Sequence, residues 1–200
     1  MQKRFITVSL LFAAAAPFLF SDSLENVRKA PELAFSIPSQ GQQLLSQYRG
    51  KVVALEFIAT TCPHCQAASQ YMKKLQTELG DRGLQVIDVA TNPNADLLVD
   101  NFAKDFQVNF PVAWTTSQQM QTFMGFTSER YVVPQLVLID RKGFIHWQTP
   151  ATTADGSWEK LMNQDTIKQH IEQLLAQPSS ASTHAGPGGG TKVASAKKPS

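Results

Sequence analysis

The chain of 200 residues contains two cysteines, and they stand two residues apart in Thr61-Cys62-Pro63-His64-Cys65-Gln66. A structural disulfide gains most when it closes a long loop, so a bridge across two intervening residues constrains almost nothing and its purpose is chemical. The chemistry open to such a pair is thiol–disulfide exchange, in which a thiolate attacks one sulfur of a disulfide through a mixed-disulfide intermediate. The first cysteine, Cys62, is the expected nucleophile, and it needs solvent access and a surrounding that favours the thiolate. Cys65 is the expected resolving thiol, which attacks Cys62 to release the partner. His64, between them, adds a positive charge or a hydrogen-bond donor near the same sulfur. A haem-attachment motif would need histidine directly after the second cysteine, where this chain has Gln66. A structural zinc site would need two more ligands, and His146, His170 and His184 are scattered without metal spacing. An inert disulfide in a binding module is the remaining alternative.

The flanking pattern says how these residues are held. Residues 51–58, Lys-Val-Val-Ala-Leu-Glu-Phe-Ile, form a nearly continuous apolar run rich in β-formers, as expected of a strand buried on both faces. After the cysteine pair, Ala68, Tyr71, Met72, Leu75 and Leu79 keep helical spacing and Gly80 is a plausible stop. Cys62 is thereby predicted at a helix N-terminus, where unpaired backbone N–H groups and the positive dipole end favour a thiolate. A second strand is predicted over 84–90. Asn92-Pro93 reads as the N-cap and first position of a helix carrying Leu98, Phe102 and Phe106. A short strand is expected over 111–114, a short helix over 118–124, and a strand over 133–139. A turn follows over 140–143, then a hairpin partner over 144–147 and a closing helix bearing Ile167, Ile171, Leu174 and Leu175. Trp114, Trp147 and Trp158 are expected to be packing or groove residues, and His146 a surface residue.

That order, βαβ followed by a β-hairpin and a terminal helix, is the thioredoxin fold. It is an α/β architecture with a central mixed sheet flanked by helices, here with an added N-terminal strand over 33–37 and an inserted helix after Asn92. The segments Gly50-Lys-Val-Val-Ala-Leu-Glu-Phe-Ile-Ala-Thr-Thr-Cys-Pro-His-Cys65 and Val133-Pro-Gln-Leu-Val-Leu-Ile-Asp-Arg-Lys-Gly143 resemble the TlpA/ResA-like family of exported thioredoxin-like proteins, with the likeness running over 31–175. The resemblance implies that Glu56, six residues before Cys62, lies buried beneath Cys65 and accepts its proton during resolution; the alternative is an exposed strand glutamate. It also implies that Pro134 is cis and lies against the cysteine pair. Val133, Pro134 and Pro63 would then line the place where an extended substrate segment pairs with backbone. The scaffold resembles reductive members of that family, whereas Pro63-His64 and Val133 resemble the oxidant DsbA, so both directions of electron flow stay open. Proteins of these two kinds differ by about 150 mV, or roughly 7 kcal/mol.

The two ends differ from this core. Lys3 and Arg4, the apolar run over 5–20 and the polar Ser21-Asp22-Ser23 read as an export signal over 1–23, with an uncleaved membrane anchor as the alternative. Residues 178–200 are Ser, Ala, Gly, Pro and Lys and read as a disordered tail. The formal net charge of +2 comes from lysine and arginine at these ends, and the domain over 24–177 is slightly acidic, which argues against a nucleic-acid partner. The expected partners are protein thiols or disulfides and an upstream redox protein. The residues call for no cofactor and no metal, and no dimer motif is visible, so a monomer in the periplasm or a similar extracytoplasmic compartment is expected. Two rivals remain. A thiol peroxidase would follow P-x-x-x-T-x-x-C, but Leu55 and Ala59 occupy the proline and threonine positions. A thioredoxin-fold binding module without catalysis is the other.

Overall fold

The computed structural model describes residues 27–178; the export segment over 1–23 and the tail from residue 179 lie outside the described residues. Eight strands form one sheet: β1 (Arg28–Lys29), β2 (Ala34–Ile37), β3 (Gly41–Leu44), β4 (Val52–Ile58), β5 (Leu84–Ala90), β6 (Val112–Trp114), β7 (Gln135–Ile139) and β8 (Phe144–Gln148). Their order across the sheet is β1-β8-β7-β4-β5-β6-β2-β3. The three central neighbours β4, β5 and β6 are parallel, and β7 runs antiparallel to β4. The mixed sheet is that of a thioredoxin-like α/β fold.

Burial explains why β4 sits at the centre. All seven of its residues are buried, so it needs cover on both faces, and its side chains alternate between two cores. Val52, Ala54 and Ile58 face α1 (Pro63–Leu79) and α5 (Gln164–Ala176), whose Met72, Leu75, Ile167 and Ile171 fill that side. Val53, Leu55 and Phe57 face the opposite core, where α3 (Ser117–Met124) contributes Met120 and Phe123. Phe57 meets Phe123 edge-on at 5.8 Å. Phe57→Ala is expected to cost about 3–5 kcal/mol of stability, because burial is lost and a cavity remains; urea unfolding of the two proteins measures it.

The sequence reading and the structure part at several places. The helix after β5 is α2 (Ala95–Asp105), capped by Asn94 with φ 56°, two residues beyond the predicted start. Asn92 is diverted: its Oδ1 accepts from the Thr60 backbone N–H at 3.0 Å, which leaves it unable to cap a helix. The buried face of α2 is Ala95, Val99 and Phe102, with Leu98 and Phe106 only half-buried. Strand β7 begins at Gln135, after the Val133–Pro134 peptide, which is cis. Strands β1 and β3 and the short helix α4 (Ser157–Leu161) were not predicted. The turn at 140–143 holds as expected. Asp140 Oδ1 accepts from the N–H groups of Lys142 and Phe144, both at 2.9 Å. Gly143 has φ 84°, and the Arg49 guanidinium fills the space a Cβ would need.

His146 is not the surface residue expected. Its side chain is 7% exposed, and Nε2 lies 3.0 Å from Asp140 Oδ2. The aspartate that builds the turn also gives this ring a charged partner, which is why a histidine is tolerated there.

Candidate active site

Helix α1 starts where the apolar strand β4 ends, and this junction positions the cysteines. Cys62 is the N-cap, in extended conformation, with Pro63 in the first turn. Its N–H donates to the Ala59 carbonyl, and its own carbonyl accepts from Gln66 N–H, each at 3.0 Å. The loop before it is pinned as well: Gln66 Nε2 donates to the Thr60 carbonyl at 3.1 Å, and Asn92 holds Thr60 from the next crossover. Cys62 is half-buried and Cys65 fully buried, and both are free thiols. Cys65 Sγ accepts a hydrogen bond from Ala59 N–H at 3.4 Å. Burial pushes the Cys65 thiol well up, and interactions with Cys62 and the Glu56 charge push in the same direction. An attack by Cys65 therefore needs a group that takes its proton.

Glu56 is the acid whose charge acts on the Cys65 thiol, and Asp88 lies opposite Glu56. They are register partners on the parallel strands β4 and β5, so their side chains leave the same face of the sheet, beneath α1. Both residues are 0% exposed. Ser69 Oγ, on α1, donates to Asp88 Oδ2 at 2.6 Å. Glu56 Oε1 and Oε2 and Asp88 Oδ1 have no hydrogen-bond donor. Two ionised carboxylates offer each other none, so a hydrogen bond between them requires a proton on one. Burial raises the Glu56 carboxyl well above the usual range, and the neighbouring Asp88 raises it further. Burial also lifts Asp88 to about 7, against the opposing hydrogen bond from Ser69.

The sign of the resulting pH dependence follows. Between about pH 4 and pH 7 the unfolded chain has released protons that the folded pair keeps, so stability falls as pH rises through that window. The unfolding free energy is expected to drop by at least about 1.4 kcal/mol from pH 5 to pH 8, the worth of one unit on one carboxyl, and Glu56→Gln should flatten the slope. Urea titrations at fixed ionic strength read both.

An open cavity of about 340 Å³ leads from the surface to Glu56. His64, Tyr71, Pro134, Trp158 and Met162 are among its lining residues. Trp158 Nε1 donates to the Pro134 carbonyl at 3.1 Å, so α4 fixes the backbone next to the cis peptide. His64 is exposed in the first turn of α1, and no hydrogen bond joins it to either sulfur among the described residues. Pro63 is exposed and Val133 half-buried. Trp147 stacks on His170 at 3.9 Å, and half-buried Trp114 packs against the core. Asp88, Ser69 and Asn92 were missed as site residues, whereas Trp158, expected as a packing or groove residue, lines the cavity. Asp88 carried the same signal as Glu56, a lone acid inside an apolar strand, whereas Ser69 carried none.

A model of the AhpC/TSA family matches residues 27–148. The chain belongs to that family. It is similar to the thiol-disulfide oxidoreductase ResA of Geobacillus thermodenitrificans, 28% identical over 145 residues that cover 72% of this chain and 75% of the relative. It is also similar to ResA of Oceanobacillus iheyensis, at 28% identity over 56% of this chain and 65% of that one. Among solved structures, a Chlorobium tepidum protein given the name thiol:disulfide interchange protein DsbE matches with TM-score 0.60 and 26% identity, covering 77% of this chain and all of that one. A thioredoxin family protein from the same organism shares the fold, with TM-score 0.60 at 19% identity.

Proposed function

We propose that this AhpC/TSA family member is an extracytoplasmic thiol-disulfide oxidoreductase acting on protein substrates through Cys62 and Cys65. The observation that carries the reading is the asymmetry of the pair: a half-buried Cys62 at the N-terminus of α1, and a fully buried Cys65 one turn on. Cys62 thiolate attacks a substrate disulfide, one substrate sulfur leaves with the bonding electrons, and a mixed disulfide forms. Cys65 then gives up its proton and attacks Cys62 Sγ, which releases the second substrate sulfur and leaves Cys62 and Cys65 joined. Run backwards, the same steps oxidise a substrate dithiol. The names of the ResA and DsbE relatives favour this chemistry. The Lys3-Arg4 and apolar pattern at the N-terminus supports export, and no helix among the described residues is long and apolar enough to cross a membrane.

Glu56 is the acceptor of the Cys65 proton in this scheme, because it is buried with both oxygens unpartnered and its charge acts on the Cys65 thiol. Glu56→Gln is expected to slow release of the mixed disulfide by about a hundredfold, within the range of general acid–base catalysis, while the first attack by Cys62 keeps its rate. Rapid-quench analysis with a disulfide peptide separates the two steps, and equal slowing of both would remove Glu56 from this role. The cavity beside Pro134 suits an apolar side chain of the substrate, with the Val133 backbone pairing to its chain and His64 among the lining residues. The peroxidase alternative finds no support at Leu55 and Ala59, and a peroxide-consumption assay is expected to show no turnover.

A further inference from the structure

The proposed mechanism uses Glu56 and leaves its neighbour unexplained. Asp88 is as deeply buried as Glu56, lies opposite it in register, and is bonded by a serine from the helix that carries both cysteines. An acid with only a packing role would be costly here, since a buried carboxylate without a cation loses its hydration and gains little. Among the described residues, the side chains that face the pair include no lysine or arginine. Cys65 and Ser69 come from α1, Leu136 from β7 and Ile167 from α5, and the cavity beyond Glu56 is lined by His64, Tyr71 and Glu159 as its titratable groups. Three buried carboxyl oxygens wait for a hydrogen.

We propose that Asp88 is a positioning residue that forms a proton-sharing carboxyl pair with Glu56, and that the pair alternates between two protons and one as Cys65 leaves and attacks. The inference rests on the reading of Glu56 as the proton acceptor for Cys65. When an incoming thiolate attacks Cys62 Sγ of the disulfide, the Cys62–Cys65 bond breaks and Cys65 leaves with the electron pair. The doubly protonated pair gives one proton to that sulfur through Glu56, and the remaining proton bridges the two carboxyls over a single negative charge. When Cys65 later attacks a mixed disulfide, its proton returns to the pair. The site therefore never holds two bare charges in the core, which a lone buried glutamate avoids only by going to bulk water for each proton. Ser69 holds the charge on the Asp88 side through Oδ2, so that Glu56 is the member that exchanges with the sulfur. The lift of Asp88 to about 7 places the exchange near neutral pH, where a proton carrier works in both directions.

The test uses the full domain in two measurements. Infrared spectra of the unaltered protein are expected to keep one protonated carboxyl band up to about pH 8, because two like charges at this spacing resist joint ionisation. In Asp88→Asn the carboxyl of Glu56 is expected to ionise at least one pH unit lower, since its charged neighbour is gone, whereas in Glu56→Gln the carboxyl of Asp88 is expected to ionise higher, since the hydrogen bond from Glu56 that holds it down is lost. Absence of a protonated carboxyl in the unaltered protein at pH 7 overturns the pair without any variant. Two bands that respond only to their own substitution also overturn it. The second measurement is the pH profile of mixed-disulfide release. Ser69→Ala is expected to move its inflection upward from near pH 7, with Ser69→Thr restoring it, whereas a packing role would lower the rate evenly at every pH and sink the proposal. Loss of the Glu56→Gln effect on release would instead defeat the reading of Glu56 itself, so the two failures are told apart.

Discussion

Cys62→Ser is expected to abolish disulfide exchange, with a loss of at least about a thousandfold in turnover. Hydroxyl cannot replace thiolate as the nucleophile at neutral pH, and removing the attacking group of a covalent mechanism leaves only binding behind. The effect should be confined to chemistry. Cys62 is a half-buried N-cap whose structural bonds run through its backbone N–H and carbonyl, and serine is a favoured N-cap. Stability should therefore hold or rise slightly while activity vanishes. Insulin-disulfide reduction with dithiothreitol as donor, together with urea unfolding, reads both quantities. Unchanged turnover in this variant would leave the chain a binding module that keeps the fold.

Cys65→Ala is expected to do something different, and the difference identifies the roles. Cys62 still attacks, but nothing resolves the product, so a one-to-one mixed disulfide accumulates. Mass spectrometry of a peptide–protein adduct should find it at Cys62, with the single turnover complete and steady-state turnover lost by at least about a hundredfold. Alanine is the better replacement at a fully buried position in an apolar core, because serine would place a hydroxyl there that must find a partner. If the adduct formed instead on Cys65 in Cys62→Ser, the assignment of nucleophile and resolving thiol would be reversed. Burial argues against that, since no substrate sulfur reaches a side chain with 0% exposure without the helix opening.

The parts of the molecule that sequence patterns revealed are those in which one physical demand dominates. Strand β4 is written in an apolar run that calls for burial on both faces, with only Glu56 left open to an exposed reading, and the cysteine spacing needs only a helix start after it. Helix α2 shows how a local signal is outbid: Asn92-Pro93 has the residues of a helix start, but the asparagine side chain is taken by Thr60 across 32 residues of chain. Strand β3, Gly-Gln-Gln-Leu at an exposed sheet edge, has neither alternation nor β-formers and is held by pairing with β2. Helix α4 is one turn and a half, too short to leave a periodic trace, yet it brings Trp158 to the Pro134 carbonyl. His146 was misread because its partner Asp140 has a simpler local explanation as a turn residue. Asp88 is the instructive omission. A lone acid in an apolar strand was enough to single out Glu56, and the same pattern stood unremarked one strand away.

Oxidation of the purified protein against glutathione buffers reads whether Cys62 and Cys65 act as one redox centre. A catalytic pair titrates as a single two-electron couple, one disulfide joining Cys62 to Cys65, with a potential between about −120 and −270 mV. A value near the upper end marks an oxidant, as Pro63-His64 suggests, and one near the lower end a reductant, as the scaffold suggests. A couple below about −300 mV, where structural disulfides lie, or two cysteines that take up glutathione separately without joining each other, would mean that Cys62 and Cys65 are not a catalytic pair.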